Sequence, residues 1–296
     1  MNIKDILQQI PAWEKTETIR YEPINSGYSN KIYKVFVDDK EYALRINGKQ
    51  NEYLSLRYED EAEAMALAAK QNIAPAILPC ENQSDFLITE FVDGPLVTIE
   101  QMRHEDTIKT IVTLLKKVHA LPYSGTRSST PFSLTRGYLA GSEKLGMVCP
   151  VDLKDFLPKM AAIEKTRQKD PVYLKHYCHN DMFTHNMIQS RDGSIKLIDW
   201  ELSGLGDIWF DLATISFSCG FNPSEDETML LAYFGSIDDQ KQKTLHDMKF
   251  VCMIREIGWA LLHTAMNRLL PTPGTDYLEF ANTVLDRLKQ GLVTLI

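Results

Sequence analysis

The order of apolar and polar positions predicts a short opening helix followed by a series of strands. Ile3, Ile6, Leu7 and Ile10 recur at helical spacing, and Pro11 ends the pattern. Stretches rich in β-branched and aromatic side chains then predict strands. The predicted strands are 18–25, 31–37, 41–46 and 85–92, with a turn at 38–40 and an Ala-rich helix over 59–71. The segment up to residue 92 is therefore expected to form a small antiparallel sheet with one inserted helix.

The pattern changes at Asp93-Gly94-Pro95, a sequence that disfavours both helix and strand. Beyond it, the chain is predicted to be mainly helical. The predicted helices are 99–120, 152–168, 207–219, 224–234, 240–267 and 276–294. The exception is a β-hairpin with strands at 186–190 and 194–199 around the turn residues Arg191-Asp192-Gly193. We therefore predict an N-terminal lobe over 1–92 and a larger C-terminal lobe over 93–296.

Composition narrows the class of protein. The 296 residues include 32 Lys and Arg against 40 Asp and Glu, a net charge of −8, and 44% of the residues are hydrophobic. This is the composition of a globular protein, and its acidic balance without a basic stripe argues against nucleic acid as a partner. The sequence shows no secretion signal and no membrane-spanning window, so no membrane partner is expected. Five widely separated cysteines favour reduced thiols and a cytoplasmic location. The oligomeric state stays open.

Three polar residues near the predicted hairpin have the chemistry that phosphoryl transfer requires. This reaction depends mainly on positioning the reactants and on holding magnesium at the phosphates. Asp181 is a carboxylate that can take or orient the proton of an acceptor hydroxyl, and Asn186 offers an amide oxygen to Mg²⁺. Asp199, at the end of the returning strand, can supply a carboxylate to the same ion. Each residue alone would be an ordinary surface group, but their joint spacing predicts a phosphotransferase site.

The same residues carry a family resemblance. The motif H-x-D-x-x-x-x-N over 179–186, followed by Asp-Trp-Glu over 199–201, resembles the catalytic and metal loops of the protein-kinase-like fold. Asp-Trp-Glu in place of D-F-G is similar to the small-molecule branch, namely the aminoglycoside phosphotransferase and choline/ethanolamine kinase families. L-x-x-x-H-x-L-P over 115–122 and G-D-x-x-x-D-L-A over 206–213 extend the resemblance along the chain. It implies an α+β, two-lobed fold, with a small antiparallel sheet lobe and a mainly helical lobe, and a kinase that uses ATP and Mg²⁺.

The resemblance also assigns supporting roles around the catalytic loop. In this fold the motif histidine, His179 here, usually braces the loop through hydrogen bonds, and a direct catalytic role is the alternative. Asp211 of the G-D-x-x-x-D-L-A motif is expected to cap the helix that it opens and to brace the same loop. Both residues are therefore expected beside Asp181.

The N-terminal lobe is expected to bind the nucleotide. Ser26, Gly27 and Asn30 lie in a small-residue turn between two predicted strands, where related kinases cover the ATP phosphates. One glycine is a weak signal, since a plain hairpin would have the same sequence. The resemblance further implies that the backbone between Glu90 and Val92 contacts adenine.

Arg45 stands in the third strand at the position of the family's phosphate-binding lysine, and choline kinase relatives also use arginine there. A guanidinium can bind phosphate oxygens with two parallel hydrogen bonds. Its expected partner is a helix glutamate, with Glu61 preferred over Glu63. A solvated charge on a strand surface is the alternative for Arg45.

The acceptor is expected to be a cationic alcohol, most simply choline or ethanolamine. Glu201 and the tail around Trp259 resemble choline kinases, and an aromatic face beside carboxylates is suited to an ammonium group. The chain departs from that family at Leu202, where a tyrosine is common, and at Glu256, where W-x-x-W has its first tryptophan. We therefore predict Glu201, Glu256 and Trp259 as acceptor-binding residues. Packing of Trp259 in a helix core, a thiamine or aminoglycoside kinase, and a catalytically silent nucleotide-binding protein are the alternatives.

Overall fold

The computed structural model describes residues 3–16, 18–24, 30–48, 58–80, 85–122, 127–267 and 276–296. Two compact units are present, Met1–Pro95 with Ile188–Glu201, and Leu96–Met187 with Leu202–Ile296. We call them the sheet unit and the helical unit. The predicted lobe boundary after residue 92 stays a prediction.

The sheet unit contains the predicted antiparallel sheet. Its four strands lie in sequence order, and each is hydrogen-bonded to the next. The hairpin between the second and third strands closes at Asp38-Asp39, where Asp38 adopts a φ of 52°, a conformation that aspartate tolerates in turns. The elements are α1 (Ile3–Leu7), a 3₁₀ turn (Pro11–Trp13), β1 (Ile19–Ile24), β2 (Lys31–Val37), β3 (Lys40–Ile46), α2 (Tyr58–Lys70) and β4 (Phe86–Glu90).

The two faces of this sheet have different roles because side chains alternate along each strand. Leu44 of β3 belongs to the core, with Val35 of β2 and Ile88 of β4. The apolar face of α1 covers that core through Ile6, and the burial of such side chains stabilises the unit. Arg45 follows Leu44 in β3 and therefore projects from the opposite face of the sheet.

A second hairpin, β6 (Met187–Gln189) and β7 (Ile195–Leu197), lies for the most part in the sheet unit although it comes late in the sequence. Leu197 N–H donates to the Ile73 carbonyl at 2.8 Å, and Gln189 N–H donates to the Pro95 carbonyl at 2.9 Å. A Cβ on Gly94 would lie 1.9 Å from the Gln189 carbonyl oxygen, so only glycine permits this close approach. The hairpin thereby carries residues near 199 to the sheet.

The helical unit is built around one long, largely buried helix. This helix, α9 (Asp239–Asn267), packs against α5 (Pro131–Lys144), α7 (Ile208–Ser218) and α10 (Tyr277–Lys289). The short strands β5 (His176–Cys178) and β8 (Gly204–Gly206) pair antiparallel. The elements are α3 (Ile99–Met102), α4 (Glu105–His119), α5 (Pro131–Lys144), α6 (Val151–Arg167), β5 (His176–Cys178), β8 (Gly204–Gly206), α7 (Ile208–Ser218), α8 (Pro223–Phe234), α9 (Asp239–Asn267) and α10 (Tyr277–Lys289).

One helix was missed, and two helix predictions were wrong in detail. Helix α5 was not predicted, because Gly137 and Gly141 lower the helix propensity of its segment. Its start is nevertheless marked in the sequence, since Thr130 accepts a hydrogen bond from Ser133 N–H at 3.0 Å and Pro131 follows it. The predicted helix 99–120 is interrupted between α3 and α4, and the last helix ends at Lys289 instead of 294. Within the described ranges, no helix has the length and apolar character needed to cross a membrane.

Candidate active site

Arg45 is the centre of an ion-pair cluster in the sheet unit. Its Nη1 lies 2.8 Å from Glu61 Oε1 of α2 and 3.1 Å from Asp199 Oδ1, and its Nη2 also binds Glu61. Burial disfavours the charged guanidinium, but the carboxylates of Glu61 and Asp199 outweigh burial and raise the pKa of Arg45 above its ordinary value. We call Arg45, Glu61 and Asp199 the Arg45 cluster. The preferred partner glutamate is thus Glu61, and the alternative Glu63 is exposed.

Asp199 reaches this cluster because the end of the β6–β7 hairpin is anchored. Trp200 is fully buried, and its indole N–H donates to the Leu197 carbonyl at 3.0 Å. Asp199 adopts a φ of 61°, in the left-handed region that few non-glycine residues occupy and that aspartate tolerates better than most. The buried indole therefore fixes the chain on either side of an unusual turn, with Asp199 beside Arg45.

Glu201 and Asn30 lie near the same cluster. Asn30 Nδ2 is 3.4 Å from Glu201 Oε2, and Glu201 Oε2 is 3.9 Å from Arg45 Nη1. Asn30 Oδ1 also accepts from Gly48 N–H at 2.9 Å. The residues predicted with Asn30 for the phosphate turn, Ser26 and Gly27, lie outside the described residues.

The segment predicted to contact adenine follows the last strand of the sheet. Glu90 N–H donates to the Ala76 carbonyl at 2.8 Å, and Phe91 N–H donates to the Glu41 carbonyl at 3.1 Å. Both backbone N–H groups therefore already donate hydrogen bonds within the sheet unit. An adenine contact between Glu90 and Val92 would therefore use other backbone groups of the segment.

The loop of the helical unit that carries Asp181 is held by Asp211. Its carboxylate accepts from the backbone N–H groups of His179 at 3.0 Å and Asn180 at 2.7 Å, and His119 Nε2 lies 3.0 Å from Oδ2. Asn180 has a φ of 65°. The predicted bracing of the loop by Asp211 is confirmed, and hydrogen bonds to a buried carboxylate compensate for its burial.

The predicted capping role of Asp211 was wrong. Asp207 is the N-cap of α7, and its carboxylate accepts from Trp209 N–H at 3.2 Å while binding Arg167 at 2.7 Å. Asp211 lies one turn further along the helix. Its side chain can therefore reach the loop, whereas the cap position is occupied by the first acidic residue of the motif.

Asp181 is held through both oxygens of its carboxylate. Arg255 Nη2 donates to Oδ1 at 2.9 Å, and Asn186 Nδ2 donates to Oδ2 at 2.7 Å and to the Asp181 carbonyl at 3.0 Å. The Asp181 carboxylate is partly exposed. His179, two residues earlier in the sequence, is fully buried. Because the amide nitrogen of Asn186 is committed to Asp181, the amide oxygen is the atom of Asn186 suited to a metal.

Arg255 is the site residue that the sequence analysis missed. It lies on α9 and is 3% exposed, with Nη1 bound to Glu256 and Nη2 within 3.3 Å of the Asn180 carbonyl. Burial opposes its charge, but Glu256 and Asp181 outweigh that effect and raise the pKa of Arg255. A signal was present in the sequence, because charged residues rarely occur within an apolar stretch such as 250–262 unless they are paired. We call Arg255, Glu256 and Asp181 the Arg255 cluster.

Glu256 and Trp259, both predicted to bind the acceptor, have different surroundings. Glu256 is buried and paired with Arg255, and burial raises the pKa of its carboxyl while the arginine opposes that shift. Trp259 is half-buried, with ring centroids of His263, Tyr277 and Phe280 at 4.3, 5.6 and 6.5 Å. The indole therefore belongs to a cluster of aromatic rings on α9 and α10.

Asp199 and Asn186 were predicted to hold Mg²⁺, and their donor chemistry fits this ion. Mg²⁺ prefers carboxylate, amide and water oxygens. Asp199 has a partly exposed carboxylate, and Asn186 has its amide oxygen turned away from Asp181 by the hydrogen bonds of its nitrogen. Both side chains can therefore serve as oxygen ligands.

Comparisons with known proteins identify the family of this chain and solved structures with a similar fold. A family model described as the phosphotransferase enzyme family matches residues 20–244. The Protein LicA homolog of Metamycoplasma hominis is 24% identical over 274 residues, which cover 90% of this chain and 96% of the relative. A choline/ethanolamine kinase family protein from Mesorhizobium loti superposes with a TM-score of 0.77 at 22% identity, covering 97% of this chain and 92% of that one. Choline kinase LicA from Streptococcus pneumoniae gives 0.74 at 19%, covering 95% and 98%. The predicted fold class is thereby confirmed.

Proposed function

Because this chain belongs to the phosphotransferase enzyme family, we propose that it transfers the γ-phosphoryl group of ATP to the hydroxyl of choline or ethanolamine. Family membership makes it an enzyme that phosphorylates an alcohol. Its likeness to LicA proteins and to a choline/ethanolamine kinase family protein supports a small cationic alcohol as the acceptor. The use of ATP, the use of Mg²⁺ and the identity of the acceptor are the details that we propose beyond family membership.

The observation that best supports this proposal is the geometry of Asp181. A carboxylate with both oxygens held by Arg255 and Asn186, on a loop braced by Asp211, is fixed in direction yet partly exposed. Such a group can accept a hydrogen bond from an acceptor hydroxyl and orient its oxygen towards phosphorus, which places the reactants for transfer. His179 is assigned the bracing role, through its backbone N–H.

The Arg45 cluster is assigned to the phosphates. Arg45 keeps its charge when buried, because Glu61 and Asp199 compensate for it, so it can stabilise phosphate oxygens electrostatically. Asp199 and Asn186 are assigned as Mg²⁺ ligands, and the ion would neutralise the charge of the phosphates. Ser26, Gly27 and Asn30, and the backbone from Glu90 to Val92, keep their proposed nucleotide contacts.

The aromatic cluster around Trp259 supports a cationic acceptor. One cation–π contact contributes about 0.5–2 kcal/mol, and the half-buried indole keeps part of its surface available. Glu256 adds negative charge next to Arg255, so the Arg255 cluster carries a net charge of −1 that attracts an ammonium group. Glu201 is proposed as a further acceptor-binding carboxylate.

The test is a phosphorylation assay of the purified protein with Mg²⁺ and ATP against choline, ethanolamine, thiamine and an aminoglycoside. Phosphorylated product is identified by mass spectrometry, and Asp181→Asn serves as the matched inactive variant. We expect choline or ethanolamine to have the highest kcat/KM. Faster transfer to thiamine or the aminoglycoside would reassign the acceptor. Faster transfer to a neutral polyol would overturn the cationic acceptor, and no transfer to any compound would favour a silent nucleotide-binding protein.

A further inference from the structure

We propose that Arg255 is a positioning residue for Asp181, and that Glu256 supplies the counter-charge that permits a buried guanidinium at this place. The inference rests on the proposed function, because it gives Arg255 a task only through Asp181. Nothing in the motifs of the catalytic loop assigns this role, since Arg255 lies 74 residues further along the chain.

The geometry of the guanidinium makes Arg255 a clamp on the loop. One nitrogen, Nη2, reaches both the Asp181 carboxylate at 2.9 Å and the Asn180 carbonyl at 3.3 Å. The guanidinium carbon also lies 5.7 Å from the Phe183 ring centroid and 5.6 Å from that of Phe210. Arginine loses little conformational freedom per hydrogen bond when its planar group is already confined between rings. The contact therefore fixes the direction of the Asp181 side chain.

The charge balance explains why Glu256 stands next to Arg255. An isolated buried guanidinium is strongly disfavoured, and a buried ion requires a partner with good geometry. Asp181 alone is a poor permanent partner, because its carboxylate is partly exposed and would have to engage a substrate hydroxyl. Glu256, buried and bound to Nη1, compensates the charge continuously. Arg255 can thus remain in place while Asp181 exchanges hydrogen bonds.

Removing the clamp should act on turnover and not on nucleotide binding. Loss of the hydrogen bond from Arg255 should release rotation of the Asp181 carboxylate, which lowers kcat. A residue that only stabilises the fold would not produce a kcat loss in the folded enzyme with an unchanged KM for ATP.

The decisive variant is Arg255→Met/Glu256→Gln, which removes the ion pair without leaving a buried unpaired carboxylate. Initial rates are measured at saturating acceptor and varied MgATP, and circular dichroism checks that the variant is folded. We expect kcat to fall at least about tenfold, with KM for ATP within about twofold. Arg255→Lys keeps a charge but loses the planar fork of the guanidinium, and should restore only part of kcat.

Arg167→Met is the matched control, since Arg167 is also buried and paired with a carboxylate, Asp207. It should lower thermal stability and leave kcat within about twofold of wild type. The inference is overturned if the double variant leaves kcat unchanged, or if Arg167→Met lowers kcat equally. If the double variant does not fold, Arg255→Lys decides: a partial loss of kcat with an unchanged KM for ATP supports the inference, and an unchanged kcat overturns it. Full activity of Asp181→Asn would instead refute the proposed function, so the two failures are distinguishable.

Discussion

The Arg45 cluster of the sheet unit and the Arg255 cluster of the helical unit have the same composition. Each has an arginine, part-buried in the case of Arg45 and buried in the case of Arg255, that binds one buried glutamate and one more exposed aspartate. The glutamate side chains are 1% and 7% exposed, whereas Asp199 and Asp181 are 36% and 19% exposed. In both clusters the glutamate compensates the buried charge, which leaves the aspartate as the accessible carboxylate.

The clusters differ in how the chain assembles them. Arg45, Glu61 and Asp199 come from a strand, a helix and a hairpin, and the partners of Arg45 lie 16 and 154 residues away. Arg255 and Glu256 are neighbours on one helix, so only the contact with Asp181 depends on tertiary structure. The comparison shows that the charge of an arginine removed from water can be compensated by a glutamate distant in sequence, as for Arg45, or by an adjacent one, as for Arg255.

The largest expected effect distinguishes the tasks of the two aspartates. Asp181→Asn keeps the shape of the side chain and removes its charge, so kcat should fall at least about 100-fold, the loss typical of a missing general base or orienting group. Binding of MgATP, followed by calorimetry, should stay nearly unchanged because the Arg45 cluster is intact. Activity within a few-fold of wild type would refute the role of Asp181.

Asp199→Ala changes the Arg45 cluster, and we expect it to lower activity by weakening Mg²⁺ binding. It removes a proposed carboxylate ligand, so the concentration of Mg²⁺ needed for half-maximal rate should rise about tenfold or more, together with a loss of turnover. The rate is measured against free Mg²⁺ at constant ATP, with Asp181→Asn as the comparison variant. If the magnesium dependence stays as in wild type, Asp199 has a structural role within the Arg45 cluster.

Glu256→Gln tests whether the net negative charge of the Arg255 cluster reaches the acceptor. The substitution changes the cluster from −1 to neutral while keeping the size of the side chain. We expect KM for choline or ethanolamine to rise about tenfold, equivalent to about 1.4 kcal/mol, with KM for ATP unchanged. A neutral acceptor should show no such change. Equal effects on both kinds of acceptor would indicate a general disturbance of α9.

His263 is an ionisable residue of α9 whose pKa is shifted by burial, whereas neighbouring carboxylates raise the pKa of Arg255. Burial lowers its pKa from 6.5 to about 4, so the folded protein keeps the imidazole neutral. The unfolded chain binds a proton first as the pH falls below 6.5, and stability should therefore decrease from pH 6.5 towards pH 4. His263→Phe keeps a ring beside Trp259 and removes the titration. Between pH 7 and pH 5 wild type should lose about 1–2 kcal/mol more than the variant in urea unfolding. Parallel losses would refute a buried neutral imidazole.

Much of the fold and half of the site could be read from local sequence. Strand alternation placed Leu44 in the core and Arg45 on the opposite face, and the spacing of Glu61 identified the partner of Arg45. Helix α5 was missed, because its glycines weaken the local signal whereas burial against α9 stabilises it. Asp211 was expected both to cap α7 and to brace the loop, but Asp207 caps the helix and Asp211 only braces the loop, since the two residues are one helical turn apart.

The sequence by itself determined the strands of the four-stranded sheet and of the β6–β7 hairpin, the loop motif with Asp181 and Asn186, and the family resemblance that these residues carry. Such features depend on periodicity and short spacing, which local sequence contains. The sequence did not show the short strands β5 and β8. The pairing of Asp181 with Arg255 was decided only by the tertiary structure. An arginine in an apolar helix shows in the sequence that it needs a buried partner, but the partner is chosen by how α9 packs against the catalytic loop, and that packing depends on side chains throughout the helical unit.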